Sequence, residues 1–242
     1  MLLTLVGALL AVPAGLIIDV FGAKLALEWY ASPDEEESDE AGAGEPESVS
    51  GVADDEPLQP PWALREGAGY RTAIVVALTM LLFGAVWHFY GGRPWQAAIA
   101  SAYAAVLIIC TETDLLARRI ANAVTYPAIL GAFAVGMLAP GADRIDVLLG
   151  AVLGGGVLLA FALLPGNGIG DAKLGLFMGL ALGGRLTFPA LLIMALAGGL
   201  VACAILIGSR LRARQSAIPY GPYIAIGMIV VMLLEGSAFH RF

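Results

Sequence analysis

The sequence predicts an all-α fold, a polytopic transmembrane helical bundle of about eight spans, and three observations carry that prediction. Of the 242 residues 59% are hydrophobic and only 14% charged, where soluble domains carry about a quarter charged residues. Apolar runs of near-bilayer length recur along the chain with most charges between them. Glycines repeat at helical spacing inside the runs, Gly150 with Gly154, Gly175 with Gly179 and Gly179 with Gly183. Small residues four apart let helix backbones approach closely in lipid.

The first run, MLLTLVGALLAVPAGLIIDVFG, covers residues 2 to 22. It has no basic segment ahead of it and is too long for a signal-peptide core, so it reads as a retained span. Asp19 and Glu28, toward its end, read as interfacial carboxylates. Residues 1–30 are therefore the first span and its inner end. Residues 31–71 are different in kind: twelve of the 20 acids and only two of the 13 bases lie there, among Ser, Gly and Pro. Such a segment cannot bury a core, so a disordered cytoplasmic insert is expected. Its plainest role is a solvated linker, and its charge also suits attraction of a basic substrate segment.

The remaining core, residues 72–242, contains runs at 73–90, 95–113, 121–139, 146–164, 172–186, 188–208 and 218–235. His88, among Trp87, Phe89 and Tyr90, marks a headgroup boundary at the end of the second span. The sixth run, LGLFMGLALGG, is short and glycine-rich and reads as a tilted or half-buried helix. Were it not a crossing, everything after it would change sides.

Charge fixes the orientation. With the N-terminus outside, the inner segments hold nine bases, including Lys24, Arg118, Arg119, Lys173 and Arg210, and the outer ones hold four, Arg93, Arg144, Arg185 and Arg241. Basic residues are retained on the cytoplasmic face, so this orientation is the expected one. No basic patch is available for nucleic acid. Cys110 and Cys203 stand in apolar runs without metal-ligand spacing and read as packing residues, and two histidines are too few for zinc or Ser-His chemistry.

Ionisable groups in or beside apolar spans are costly and are the first candidates for function: Asp19, Glu28, His88, Glu112, Asp114, Asp171 and Glu235. Two stand apart. Asp114 ends the run AAVLIICTETD ahead of Arg118 and Arg119, and Asp171 begins a run within PGNGIGDAKLG. The topology puts both at the inner boundary, where a facing pair of carboxyls can share one proton, one activating water and the other protonating a carbonyl oxygen. Gly166, Gly168 and Gly170 suit unusual backbone angles and close approach of a peptide. On spacing alone two simpler roles stand beside this one: Asp171 as a helix cap, and Asp114 as the ion-pair partner of Arg118.

At these residues the sequence resembles the type IV prepilin leader peptidases, a family of GxGD membrane aspartic proteases. Asp114-Leu-Leu-Ala-Arg-Arg-Ile-Ala-Asn122, continuing to Thr125 and Pro127, resembles their first catalytic motif, and Gly168-Ile-Gly170-Asp171-Ala-Lys173-Leu174 resembles the GxGD motif. Ile218-Pro-Tyr-Gly-Pro-Tyr223 is similar to the segment opening the family's last span. The likeness runs from about Tyr70 to the C-terminus, with the first span also similar. It implies that Asp114 and Asp171 are catalytic, that Gly168 and Gly170 shape the second, and that Lys173 and Asn122 have structural or electrostatic roles. Ala121 stands where the family usually has proline, so the turn there lacks a rigid φ. Many bacterial members carry a cysteine-rich zinc-binding insert after span one and also methylate the new N-terminus. The insert here has no cysteine, which puts N-methyltransferase activity in doubt and argues against zinc.

The expectation is thus a hydrolase integral to the prokaryotic cytoplasmic membrane, removing short basic leaders from type IV prepilin-like precursors at the cytoplasmic face. Such precursors serve pili, secretion pseudopili or competence, and the partners are these proteins and membrane lipid, with no nucleic acid and no cofactor. The rivals are a proton-coupled transporter using its carboxylates along a substrate route, and a protease cutting within another protein's span. Both aspartates at one face, rather than at the midplane, speak against the transporter.

Overall fold

In a computed structural model the described residues are 2–31, 68–90, 92–163, 168–208 and 219–234. Among them are eight helices and no strand: α1 (Leu2–Ala31), α2 (Ala68–Phe89), α3 (Pro94–Ala117), α4 (Asn122–Leu138), α5 (Arg144–Ala162), α6 (Ile169–Leu182), α7 (Gly184–Gly208) and α8 (Gly221–Leu234). Each corresponds to one of the eight expected runs, and the all-helical membrane bundle is borne out. Five helices are long and apolar enough to cross a bilayer, within α1, α2, α3, α5 and α7, while α4 and α8 are shorter apolar helices. The acidic stretch 34–56, Gly166, Glu235 and the bases at 210–214 lie outside the described residues.

Local chemistry accounts for several boundaries. Pro94 opens α3, where a missing N–H costs nothing. The Asp143 carboxylate accepts the Asp146 N–H at 3.2 Å and caps α5. Gly183, at φ 78°, breaks the chain between α6 and α7 in a conformation that favours glycine.

Neighbouring helices run antiparallel. Along α1 and α2, Gly7 lies under Trp87 while Gly15 lies under Val76. Along α5 and α6, Gly154 faces Gly175 and Gly150 faces Gly179, so close that a Cβ on any of the four would overlap the facing backbone. The α7 start returns to the α5 start, where the Arg185 N–H donates to Asp146 at 3.2 Å. Helix α6 therefore runs one way and α7 back again, which preserves the alternation that the short sixth run put in question.

At 14 residues, about 21 Å, α6 is shorter than a bilayer core, and burial explains how it is held. Leu174, Phe177, Met178 and Leu182 have no exposed surface, and Phe177 meets Tyr103 of α3 edge to face at 5.2 Å. Helix α8 crosses from Gly221, beside Asp114, to Met232, whose carbonyl accepts the Tyr90 hydroxyl at 2.8 Å. Protein surrounds α6, whereas much of α2, α5 and α7 is exposed.

Candidate active site

One end of the bundle gathers the polar residues. Asp114 lies in the last turn of α3 and is 6% exposed. The helix closes after it because Arg118 turns into the left-handed region, φ 53° and ψ 32°, and donates its N–H to the Asp114 carbonyl. The side-chain oxygen Oδ2 accepts the backbone N–H of Gly221 at 2.8 Å, across 107 residues of sequence. A Cβ at position 221 would lie 2.7 Å from that oxygen, so only glycine leaves room for the bond. Besides the ion pair with Arg118 that spacing alone allows, the Asp114 carboxylate thus makes a backbone bond to α8.

Asp171 is partly buried in the first turn of α6. The helix cap position is Gly168, without a side-chain cap bond, so Asp171 is not the N-cap residue. Asp114 and Asp171 come from different helices, 57 positions apart, and both lie at the start of α8, where Gly221 bonds Asp114 and its neighbour Tyr220 lines one cavity with Asp171. A cavity of about 220 Å³ opens beside Asp171. Its wall is otherwise mostly apolar, from Leu158, Phe161, Met194 and Gly198, with Tyr220 adjacent to the Gly221 turn.

The other motif residues form the frame around this pair. Lys173 donates to the Asn122 side chain at 2.8 Å and its ammonium stands 5.1 Å over the Tyr126 ring, joining the first turns of α6 and α4. Gly170 packs against Ile120, which a Cβ would approach to 3.1 Å. Neither glycine uses the left-handed conformation: Gly168 is extended at φ −97° and ψ 150°, and Gly170 is helical with no positive φ. The expected freedom of angle is thus not their use at these positions. For Gly170 the reason is close approach to the first motif.

The sequence reading left two features out. Gly221 belonged to a segment picked out only by resemblance, and its bond to Asp114 becomes visible when α8 is placed against α3. The second is a buried polar group on the far side of α3. Asp19, read as interfacial, is 3% exposed, and accepts from Arg71 Nε at 2.8 Å and from the Thr72 hydroxyl at 2.7 Å. Arg71 Nε also stands 3.3 Å from Glu112 Oε1. Glu28, by contrast, is exposed and pairs with Lys24 at 3.5 Å, as an interfacial carboxylate would. Among the described residues no group of three or more His, Cys, Asp or Glu could hold a metal ion.

A helical bundle with several long apolar helices, and two acids at one end, fits an integral membrane protein with a polar site at that end. Residues 101–203, a stretch that contains both aspartates, match the sequence model of the type IV leader peptidase family. The match agrees with the family read from the motifs and supports a leader-peptidase-like membrane protease. Neither the curated proteins nor the solved structures include a match to the chain.

Proposed function

We propose that the protein is an aspartic endopeptidase that removes short basic leaders from prepilin-like precursors at the cytoplasmic face, with Asp114 and Asp171 as its catalytic pair. The observation that supports this most is two carboxyls from separate helices that both lie at the start of α8, one oriented by the Gly221 N–H and the other lining a cavity with Tyr220. The nine-to-four distribution of bases supports assigning that end to the cytoplasm.

In the reaction the pair holds one proton between its two carboxyls. The ionised aspartate takes a proton from water as the water oxygen bonds to the scissile carbonyl carbon, and the protonated partner gives its proton to the carbonyl oxygen. Collapse of the tetrahedral intermediate breaks the C–N bond. The leaving nitrogen receives the proton that came from water, the carbonyl oxygen returns its own, and the pair is left singly protonated. The leader departs as a carboxylic acid and the mature precursor as an amine. No separate protonation constant belongs to either residue in such a pair. The dependence of kcat/KM on pH is expected to be bell-shaped, because both the fully protonated and the fully ionised pair lack one of the two roles.

Co-expression with a candidate prepilin from the same genome, with mass spectrometry of the precursor's N-terminus, tests the reading. Loss of the leader with the parent chain, and an intact leader with Asp114→Ala and with Asp171→Ala, is expected. The mass of the new N-terminus also reveals any methylation. Intact leaders on every prepilin-like precursor, with the enzyme folded in the membrane, would instead favour proton-coupled transport.

A further inference from the structure

Glu112 and Asp114 are two residues apart on α3, and on a helix that separation places them about 200° apart, on nearly opposite faces. Each is held by a different part of the protein. Asp114 bonds to Gly221 at the start of α8. Glu112 faces Arg71 of α2, 3.3 Å away, and lies against Gly22 of α1, where a Cβ would reach Glu112 Oε2 at 2.5 Å. Arg71 is itself fixed by Asp19, at 2.8 Å, and Thr72 bonds to the other Asp19 oxygen. All of Asp19, Glu112 and Asp114 are buried.

From this arrangement we infer that Arg71 is a positioning residue for the reaction: by engaging Glu112 on one face of α3 it fixes the rotation of the turn that presents Asp114 on the other. The inference rests on the reading of Asp114 as catalytic. Ala104 and Ile108 of α3 pack against apolar residues of α1 and α2, contacts without a preferred direction, whereas the Arg71–Glu112 ion pair ties one angular position of α3 to a fixed charge. The sensitivity is large. A rotation of about 10° moves a carboxyl about 6 Å from the helix axis by roughly 1 Å, and a misplacement of that size costs on the order of 100-fold in rate. The first two helices, distant in sequence from both catalytic motifs, thereby acquire a part in catalysis without touching substrate.

Removing Arg71 alone would leave two buried carboxyls with their counter-charge gone, so lost activity there could reflect misfolding. The discriminating variant replaces the whole group by apolar residues, Asp19→Leu, Arg71→Met and Glu112→Leu together. Buried ionic groups exchanged wholesale for packed apolar side chains commonly keep or gain stability while losing directional bonds. Two readouts are taken on the purified full-length enzyme: cleavage of a prepilin-like precursor, and thiol cross-linking by a short bifunctional reagent in an Asp114→Cys, Asp171→Cys, Cys203→Ser background. The expected result is thermal stability near that of the parent, kcat lowered at least about tenfold with KM within about twofold, and slowed cross-linking between positions 114 and 171.

Parent-level kcat and cross-linking in a folded triple variant would overturn the proposal and leave the catalytic reading intact. Slowed cross-linking with unchanged kcat would also overturn it, since the turn would have moved without consequence. Cleavage that persists in Asp114→Asn would remove the catalytic reading itself, and this inference with it. A triple variant that fails to fold is replaced by Arg71→Lys, which keeps the charge but not the planar donor geometry, with the same kcat, KM and cross-linking criteria.

Discussion

Asp114 is oriented by a single backbone N–H, and the residue that supplies it has no side chain. Substituting Gly221 by Ala would put a Cβ 2.7 Å from Oδ2 and 3.1 Å from the Asp114 Cβ, forcing the carboxyl or the start of α8 to shift. A hydrogen bond to a charged group is worth about 1.5–3 kcal/mol. Gly221→Ala is therefore expected to lower kcat by roughly 10- to 100-fold while the bundle still folds, measured by single-turnover cleavage alongside thermal stability. Both aspartates were readable in sequence as candidates because their motifs carry them. Gly221 was not, because a bond across 107 residues leaves no periodic trace. Asp19 was misread for the same reason: its partner Arg71 lies 52 positions away, beyond the acidic stretch, and without that partner an acid near the end of a span looks like an interfacial one.

At the scale of elements, α6 carries the lesson. Its sequence shows small residues at four-residue spacing, and the structure turns that spacing into contact, Gly150 on Gly179 and Gly154 on Gly175. Overpacking such a contact costs about 1–3 kcal/mol. Gly179→Ala is expected to lower the unfolding temperature by several degrees, whereas Gly156→Ala, where a Cβ meets nothing within 4 Å, is expected to leave it unchanged or raise it slightly. Thermal unfolding of the two variants in one detergent checks the contrast. The length of α6 was the element least readable from hydropathy. Hydropathy registers apolarity but not whether lipid or protein provides the surroundings, and α6 has protein. The break at Gly183 separates it from α7, and the reversal there keeps the later helices on their expected sides.

For the molecule as a whole, the proposed orientation puts the acidic stretch and the proposed active site in one compartment. The acidic stretch 34–56 carries eleven acids and no base, and would, on the proposed orientation, share the compartment of basic leaders. Attraction of this kind is screened over about 8–10 Å at physiological salt. Deleting residues 34–56 is expected to slow cleavage of a basic-leader precursor at low ionic strength and to make little difference at high salt. Equal rates at low salt would reduce the stretch to a linker. The bundle, its described helices and the family were accessible from composition, run length and resemblance. The polar contacts joining α1, α2, α3 and α8 were not, since they depend on which faces the packed helices turn toward one another.

The central claim is that Asp114 and Asp171 act as one unit. Single-turnover cleavage by Asp114→Asn, Asp171→Asn and the double variant tests it most directly. Each single change is expected to lower the rate by at least about 100-fold, and the double variant to be no slower than the worse single one, because residues of one catalytic unit do not contribute additively. Near-parental cleavage by either folded single variant would contradict the pair, as would a double variant whose loss is the product of the two single losses.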